Sequence, residues 1–498
     1  MTLANNDRPE LFWRGIDDVR RASSPSGNKD ASRASRFRRM IFTLLALFLV
    51  WEVITRSVAA YLADARPEMA IRLRATNPTA LLNLAEAELK REQAVQQADV
   101  TSPRNRTNHS ASDLKDLQSL QDVDLSGERS STSVSKRNPP EPANAGSQDR
   151  AQIRSWAELV LRNDPLNARA FGILGQLSQQ ASDEEQTEPL MRAAARRSLH
   201  ESGAVYWMMQ KSYQDGDYDA ALRYADTLLR THPNVDKYVM PILGKIAENE
   251  DASGDLKHLL AGNPPWRREF FNQLPSNISD ARTPLEILLA LKNTLIPPTA
   301  ADLRSYLDFL IGRGFYEIAY YTWLQFLPAE QLSKVGLLYN GGFEVAPSGL
   351  PFNWVFSKGS GVTIKLEERP DKEGENALLL EFGVGRVDLP RIKQLILLAP
   401  GRYRFQGKYK VDVVSQRGLQ WRITCAGKGA TQIGESLVAQ GSGAAWQDFS
   451  FSFTVPETDC AAQYLQLVFD ARWASERFIS GSIWYDELQI EREPAVNR

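Results

Sequence analysis

Residues 337–354 read LLYNGGFEVAPSGLPFNW, and in this stretch the pattern of the chain changes. Before it, apolar residues recur at helical spacing. After residue 336 they alternate with polar residues, which is the spacing of β-strands. LQWRITC (419–425) and FSFSFTV (449–455) show this most clearly, because every second residue is apolar. The sequence therefore predicts a multidomain protein in which a helical part precedes an all-β sandwich or jelly roll over 336–494.

Composition excludes several classes of protein. A chain of 498 residues is too long for one ordinary core, which favours two or more domains. A formal net charge of -2 argues against a nucleic-acid partner. The four histidines all lie at or before His258, so the C-terminal third has none for catalysis. Because the common hydrolase, phosphate-loop and metalloprotease motifs are also missing, we predict that the protein is not an enzyme.

The N-terminal region predicts a membrane anchor. Residues 1–39 are polar and unpatterned, which is typical of a disordered tail. Residues 40–62 are long enough to span a bilayer if Glu52 and Arg56, one helical turn apart, pair with each other or lie near the membrane interface. The arginines before this segment indicate a cytoplasmic N-terminus. We therefore expect a single-pass protein of a bacterial inner membrane with its bulk in the periplasm. A cleaved signal peptide and a soluble helix are the alternatives.

Residues 63–335 resemble the tetratricopeptide family of helical repeats. The segment GDYDAALRYADTLLRTHP (216–233) carries the small residues and the closing proline of such a repeat. Pro165 and Pro233 lie two repeats of about 34 residues apart. The polar stretch 97–149 is interpreted as a disordered loop inserted between two helices of one repeat; the alternative is a linker between separate domains. The resemblance implies an α-helical solenoid with a surface for a protein partner.

The C-terminal part resembles carbohydrate-binding modules of the galactose-binding-like jelly-roll superfamily. The similarity follows the order of five segments: NGGFE (340–344), GENALLLEF (374–382), PGRYRFQGKYKV (400–411), AWQDFSFSFTV (445–455) and IWYDELQI (483–490). It implies glycan binding. It also implies that Glu344 lies on the first strand and Asp486 on the last, and that the two hold a structural calcium together with backbone carbonyls. Glu487 stands where such modules often have a second aspartate. In the alternative interpretation, Glu344 accepts backbone N–H bonds and binds no metal.

Two further groups of residues are expected to have roles within this domain. Cys425 and Cys460 are expected to form a disulfide in an oxidising compartment, with two separate buried thiols as the alternative. A glycan is expected to stack on a tryptophan beside polar side chains. The proposed ligand-binding residues, with a surface ion-pair cluster as the alternative, are Trp473, Asp470, Arg472 and Arg477.

These patterns together predict a non-enzymatic scaffold. The anchor would tether the helical part and the jelly roll in the periplasm, where they would bind a protein and a polysaccharide. The domain order resembles membrane-anchored proteins associated with bacterial exopolysaccharide assembly. A glycan-active hydrolase or lyase, and a structural jelly roll without a ligand, are the two alternatives.

Overall fold

The computed structural model describes residues 29–101, 145–427 and 429–494. Most of the tail predicted at 1–39 and of the insertion predicted at 97–149 lies outside the described residues. The described chain divides into two compact units. The first contains residues 29–101 and 145–173, and the second contains residues 174–427 and 429–494.

The first unit is helical and carries one long apolar helix. Its helices are α1 (Lys29–Ala65), α2 (Pro67–Leu73), α3 (Pro78–Thr101), α4 (Ala145–Asn163) and the start of α5 (Ala168–Gln180). Within α1, Met40–Ala65 is the one described helix that is long and apolar enough, by length and composition, to cross a membrane. Glu52 pairs with Arg56 at 2.9 Å, the first of the two arrangements that the sequence allowed, and with Arg74 at 3.3 Å. A signal sequence meets the same length and composition, so that alternative stays open.

The helices on either side of the predicted insertion contact each other. Helix α3 packs along α4. An ion pair between Arg150 and Glu92, at 2.5 Å, links the two helices, and Arg169 of α5 bonds to Glu86 of α3 at 2.7 Å. The two helices therefore pack together, and the assignment of 97–149 to a loop within one repeat stays a prediction.

The second unit begins with further helices. They are α6 (Glu184–Arg197), α7 (Ser202–Gln214), α8 (Tyr218–Thr231), α9 (Asp236–Glu248), α10 (Ser253–Ala261), α11 (Arg267–Gln273), α12 (Thr283–Leu291), α13 (Ala300–Gly312), α14 (Tyr316–Gln325) and α15 (Ala329–Leu332). Helix α7 packs on α8, and Gly216 makes the turn between them at φ 78°. Ala221 and Ala225 are fully buried, so these small residues let the helices approach closely. The helical prediction is confirmed, and the tetratricopeptide solenoid stays a prediction.

The rest of the second unit is a sandwich of two antiparallel sheets. Its strands are β1 (Val355–Phe356), β2 (Val362–Arg369), β3 (Lys372–Phe382), β4 (Ile392–Ile396), β5 (Gly401–Ser415), β6 (Leu419–Cys425), β7 (Gln432–Glu435), β8 (Gly441–Ser442), β9 (Gln447–Val455), β10 (Gln463–Phe469) and β11 (Ile479–Arg492). The first sheet has the order β1-β4-β10-β6-β7. The second has the order β2-β3-β11-β5-β8, and β9 also pairs with β5. This arrangement confirms the predicted all-β sandwich.

The core between the sheets is aromatic. Trp354, Trp421 and Phe405 are almost fully buried, and Trp421 contacts both of the other rings. The alternation in LQWRITC places Trp421 inside, as the sequence predicted. Cys425 and Cys460 form a disulfide with an S–S distance of 2.03 Å, which confirms that pairing.

The NGGFE segment forms a turn, and the expectation that Glu344 lies on the first strand is wrong. Asn340 and Phe343 have positive φ angles of 54° and 59°, which an extended strand does not contain. Gly341 lies against β11, where its carbonyl accepts the Leu488 N–H at 3.0 Å. The turn drives Phe343 into the core, where it stacks on Trp354. The segment therefore anchors the start of the sandwich to its last strand.

Helix α14 is joined to the sandwich by aromatic side chains. Trp323 is 2% exposed, and its ring lies 5.1 Å from Tyr339 and 5.7 Å from Phe352. Gln394 of β4 bonds to both the N–H and the carbonyl of Tyr339. Trp323 is therefore a packing residue, and the packing it provides lies at the border between helices and sheets.

Candidate functional site

Four polar side chains lie next to one another across the outer face of the first sheet. They come from β4, β10, β6 and β7, and strand register places each opposite the next. In order they are Lys393, Gln466, Arg422 and Glu435, called here the outer row. Their neighbours Leu465, Leu467 and Ile423 are in the core, so alternation turns the outer row away from it. The row is a polar platform on the face of the sheet that points away from the core.

Arg422 has hydrogen-bonding capacity that its neighbours do not use. Its Nη2 lies 3.7 Å from Glu435 Oε2 and 3.9 Å from Asp470 Oδ1, which is beyond hydrogen-bonding distance. Its Nε is buried and has no hydrogen-bond partner among the described residues. Glu435 instead accepts a bond from Gln420 at 3.0 Å. Because a buried unpaired donor costs free energy, a ligand oxygen at this position would be stabilising.

The loop at residues 470–478, called here the Trp473 loop, borders this face. Trp473 is 71% exposed. The Glu476 carboxylate holds the loop by accepting the N–H groups of Arg472 and Trp473, at 2.8 and 3.4 Å, and a bond from Arg417 at 2.9 Å. The bond from Arg417 and the Arg472 N–H hold the pKa of Glu476 below its usual value. The loop therefore presents the tryptophan ring to solvent on a fixed turn.

The four ligand-binding residues predicted from the sequence are only partly brought together. Asp470 lies beside Arg422, and the carbonyl of Arg477 accepts the Val387 N–H at 2.8 Å. Arg472 is exposed. A pocket of about 240 Å³ opens between the loop and the sheet. It is lined by residues 387–392 and 466–469 together with Ala471 and Arg477.

Helices cover one flank of the outer row. Lys393 Nζ lies 4.3 Å from the centre of the Tyr464 ring, and both side chains are half-buried. Burial lowers the pKa of Lys393 and raises that of Tyr464. The nearby Tyr316 of α14 and Asp308 of α13 also raise the pKa of Tyr464, and Asp308 partly offsets the lowering of the pKa of Lys393. The open part of the face is therefore the part around Arg422, Gln466 and the Trp473 loop.

Glu344 and Asp486 do not fit the calcium site that the resemblance implied. The Glu344 carboxylate accepts the Asn376 N–H at 3.1 Å and its side-chain amide at 3.3 Å, as the metal-free alternative expected. Asp486 is 2% exposed, and its Oδ2 accepts a bond from Arg369 Nη1 at 2.6 Å. Its Oδ1 accepts the Glu487 N–H at 2.6 Å. The Arg369 guanidinium therefore already bonds to the carboxylate that would ligate the metal.

Sequence reasoning missed Arg422 and Gln466. The alternation in LQWRITC contained a usable signal for Arg422, because it places this residue on the face opposite Trp421. Gln466 follows from the same alternation in YLQLVF (464–469). Arg369 had no such signal, since its partners lie far away in the sequence.

No protein-family model and no curated protein matches this chain. Solved structures similar to it include a family 4 carbohydrate-binding module, CBM4, at 15% identity and a TM-score of 0.24, covering 31% of this chain and 99% of that one. The CBM22-1 xylan-binding domain of Xyn10C from Paenibacillus barcinonensis has 13% identity and a TM-score of 0.23, covering 31% and 94%. TmCBM61, solved with β-1,4-galactotriose, has 16% identity and a TM-score of 0.22, covering 32% and 99%. At these TM-scores the likeness carries no argument about the site of this chain.

Proposed function

We propose that the β-sandwich binds a glycan on the open part of the first sheet's outer face, through Arg422, Gln466 and Asp470, with Trp473 at its border. The observation that carries this proposal is the unused donor capacity of Arg422 on a polar face, whose bordering loop carries the exposed Trp473. Sugar hydroxyls both donate and accept hydrogen bonds, so a guanidinium, an amide and a carboxylate suit them together. The flat face of an indole suits the apolar side of a sugar ring.

We propose that the anchor keeps the chain on a bacterial inner membrane with the sandwich in the periplasm, where a disulfide is stable. The helical part would bind a protein partner in a tetratricopeptide-like manner. The combination of tether, partner and glycan suits exopolysaccharide assembly or export. We propose that the protein binds the glycan without catalysis. The binding experiment therefore also measures whether sugar products are released.

Glycan binding is tested with the full chain in detergent, on an array of polysaccharides and oligosaccharides followed by calorimetry. Replacing Arg422 by methionine keeps the aliphatic stem and removes the donors, so Arg422→Met should weaken binding at least about tenfold. Arg404→Met is the matched control, because Arg404 lies on the second sheet and pairs with Glu493. It should bind like the original protein.

Three results would reject this assignment. No binding across the array would remove the glycan function. Equal losses in the two variants would move the site away from the first sheet. Release of sugar products would replace the binding protein by a glycan-active hydrolase or lyase.

A structural cap is the second candidate, and the aromatic contacts of Trp323 favour it. These contacts join the sandwich to α14, as a domain whose role is to close the end of the helical part would require. This role would be supported if the protein bound no glycan on the array and if α13, α14 and the sandwich unfolded together.

A further inference from the structure

We propose that the guanidinium of Arg369 is the permanent structural cation of this sandwich, at the place where related folds are expected to hold calcium. The proposal is independent of glycan binding. It rests on a group of side chains called here the Arg369 cluster: Arg369, Asp371, Trp446, Asp486 and Glu487.

Arg369 is enclosed, and each of its three guanidinium nitrogens donates to a carboxylate. Its side chain is 2% exposed. Nη1 lies 2.6 Å from Asp486 and 3.0 Å from Glu487, while Nη2 and Nε lie 2.7 and 3.2 Å from Asp371. The guanidinium carbon lies 4.1 Å from the centre of the Trp446 ring, and the indole N–H donates to Asp371 at 2.8 Å. Hydrogen bonds in the guanidinium plane and an aromatic ring over its face fix the cation on several sides.

The cluster joins the beginning of the sandwich to its end. Arg369 is the last residue of β2, and Asp486 lies in β11 where the register shifts between Asp486 and Gln489. Leu488, within the same irregularity, donates its N–H to Gly341 of the NGGFE turn. The guanidinium therefore makes the connection between early and late segments that a bound metal would make.

The charge balance leaves little need for a divalent ion. Glu375, Asp486 and Glu487 have carboxylate oxygens within 4.8 Å of one another, which is close enough to ligate a metal. Lys372 already bonds to Glu375 at 3.0 Å and to Glu487 at 2.9 Å, and Lys408 bonds to Glu487 at 2.8 Å. With Arg369, three fixed cations face these carboxylates. A calcium ion at these carboxylates would lie beside three positive charges that repel it.

An arginine differs from calcium in one measurable way. A chelator cannot remove an arginine side chain, which stays charged in proteins. The melting temperature of the full chain in detergent should therefore be the same in EDTA and in calcium chloride. A melting temperature that falls in EDTA and returns with calcium would overturn the proposal.

Variants test the guanidinium itself. Arg369→Met leaves Asp486 buried without its partner, so the melting temperature should fall by about 5–10 °C. The exposed control Arg404→Met should change it far less. The single variant Asp486→Leu and the double variant Arg369→Met/Asp486→Leu complete the comparison. The melting temperature of the double variant should fall by much less than the sum of the two single decreases, because it removes both charges together. Additive losses would show that the two residues do not act as a pair and would overturn the proposal. If Arg369→Met does not fold, the chelation result on the original protein still decides.

Discussion

Gly341 lies so close to the last strand that no side chain fits there. A Cβ on this residue would lie 1.9 Å from the carbonyl oxygen of Leu488, and that oxygen is backbone that cannot rotate away. Beside this close approach, the Leu488 N–H donates a hydrogen bond to the Gly341 carbonyl at 3.0 Å. Any side chain here must push the NGGFE turn away from β11, which also disturbs the stacking of Phe343 on Trp354.

We expect Gly341→Ala to destabilise the sandwich by about 2–4 kcal/mol, because the added methyl group forces the backbone to move. Urea denaturation followed by circular dichroism measures this loss. Gly254→Ala is the matched control, since a Cβ there meets nothing within 4 Å. Gly254 lies in α10, so its replacement should leave stability unchanged or raise it by about 1 kcal/mol. A loss in Gly341→Ala no larger than in the control would contradict the close contact.

Strand alternation made several individual strands predictable. In LQWRITC and FSFSFTV every second residue turns to the core, because a strand with one buried face repeats every two residues. The NGGFE turn was not predictable in the same way. Its shape depends on the close approach of Gly341 to β11, which is distant in sequence and leaves no periodic trace. The Arg369 cluster was missed for the same reason, since it forms only after β2 and β11 are placed together.

The disulfide connects the end of β6 to the segment before β10, and these strands are neighbours in the first sheet. It joins residues separated by 35 positions, so it restricts the unfolded chain and should stabilise the fold by about 3 kcal/mol. A reductant should therefore lower the melting temperature of the original protein.

The variant Cys425→Ala/Cys460→Ala provides the control for this effect. It should melt at the lower temperature with or without reductant, because the chain has only these two cysteines. A reductant effect of similar size on the double variant would mean that the disulfide is not its cause.

The helices and the sandwich of the second unit share one packed border, although their sequence patterns differ completely. The change of period after residue 336 predicted where helices give way to strands, because each pattern depends on local spacing. It did not predict that Trp323, on the last long helix, would be buried between Tyr339 and Phe352. Helical spacing identifies the buried face of a helix but does not show which residues pack against it. The same border covers one flank of the outer row, so it also limits where a glycan can lie.

If this border is a true core, α13, α14 and the sandwich should unfold together. Hydrogen-exchange mass spectrometry at increasing urea concentrations resolves peptides from residues 300–325 and from the strands separately. In the original protein both groups should lose protection at the same urea concentration.

Trp323→Ala removes a large buried side chain, which typically costs about 3–5 kcal/mol, so the helical peptides should lose protection first. Tyr321→Ala, on the same helix but 62% exposed, should leave the transitions coincident. Separate transitions already present in the original protein would show that the helices and the sandwich are independent domains, and the structural-cap role would then be wrong.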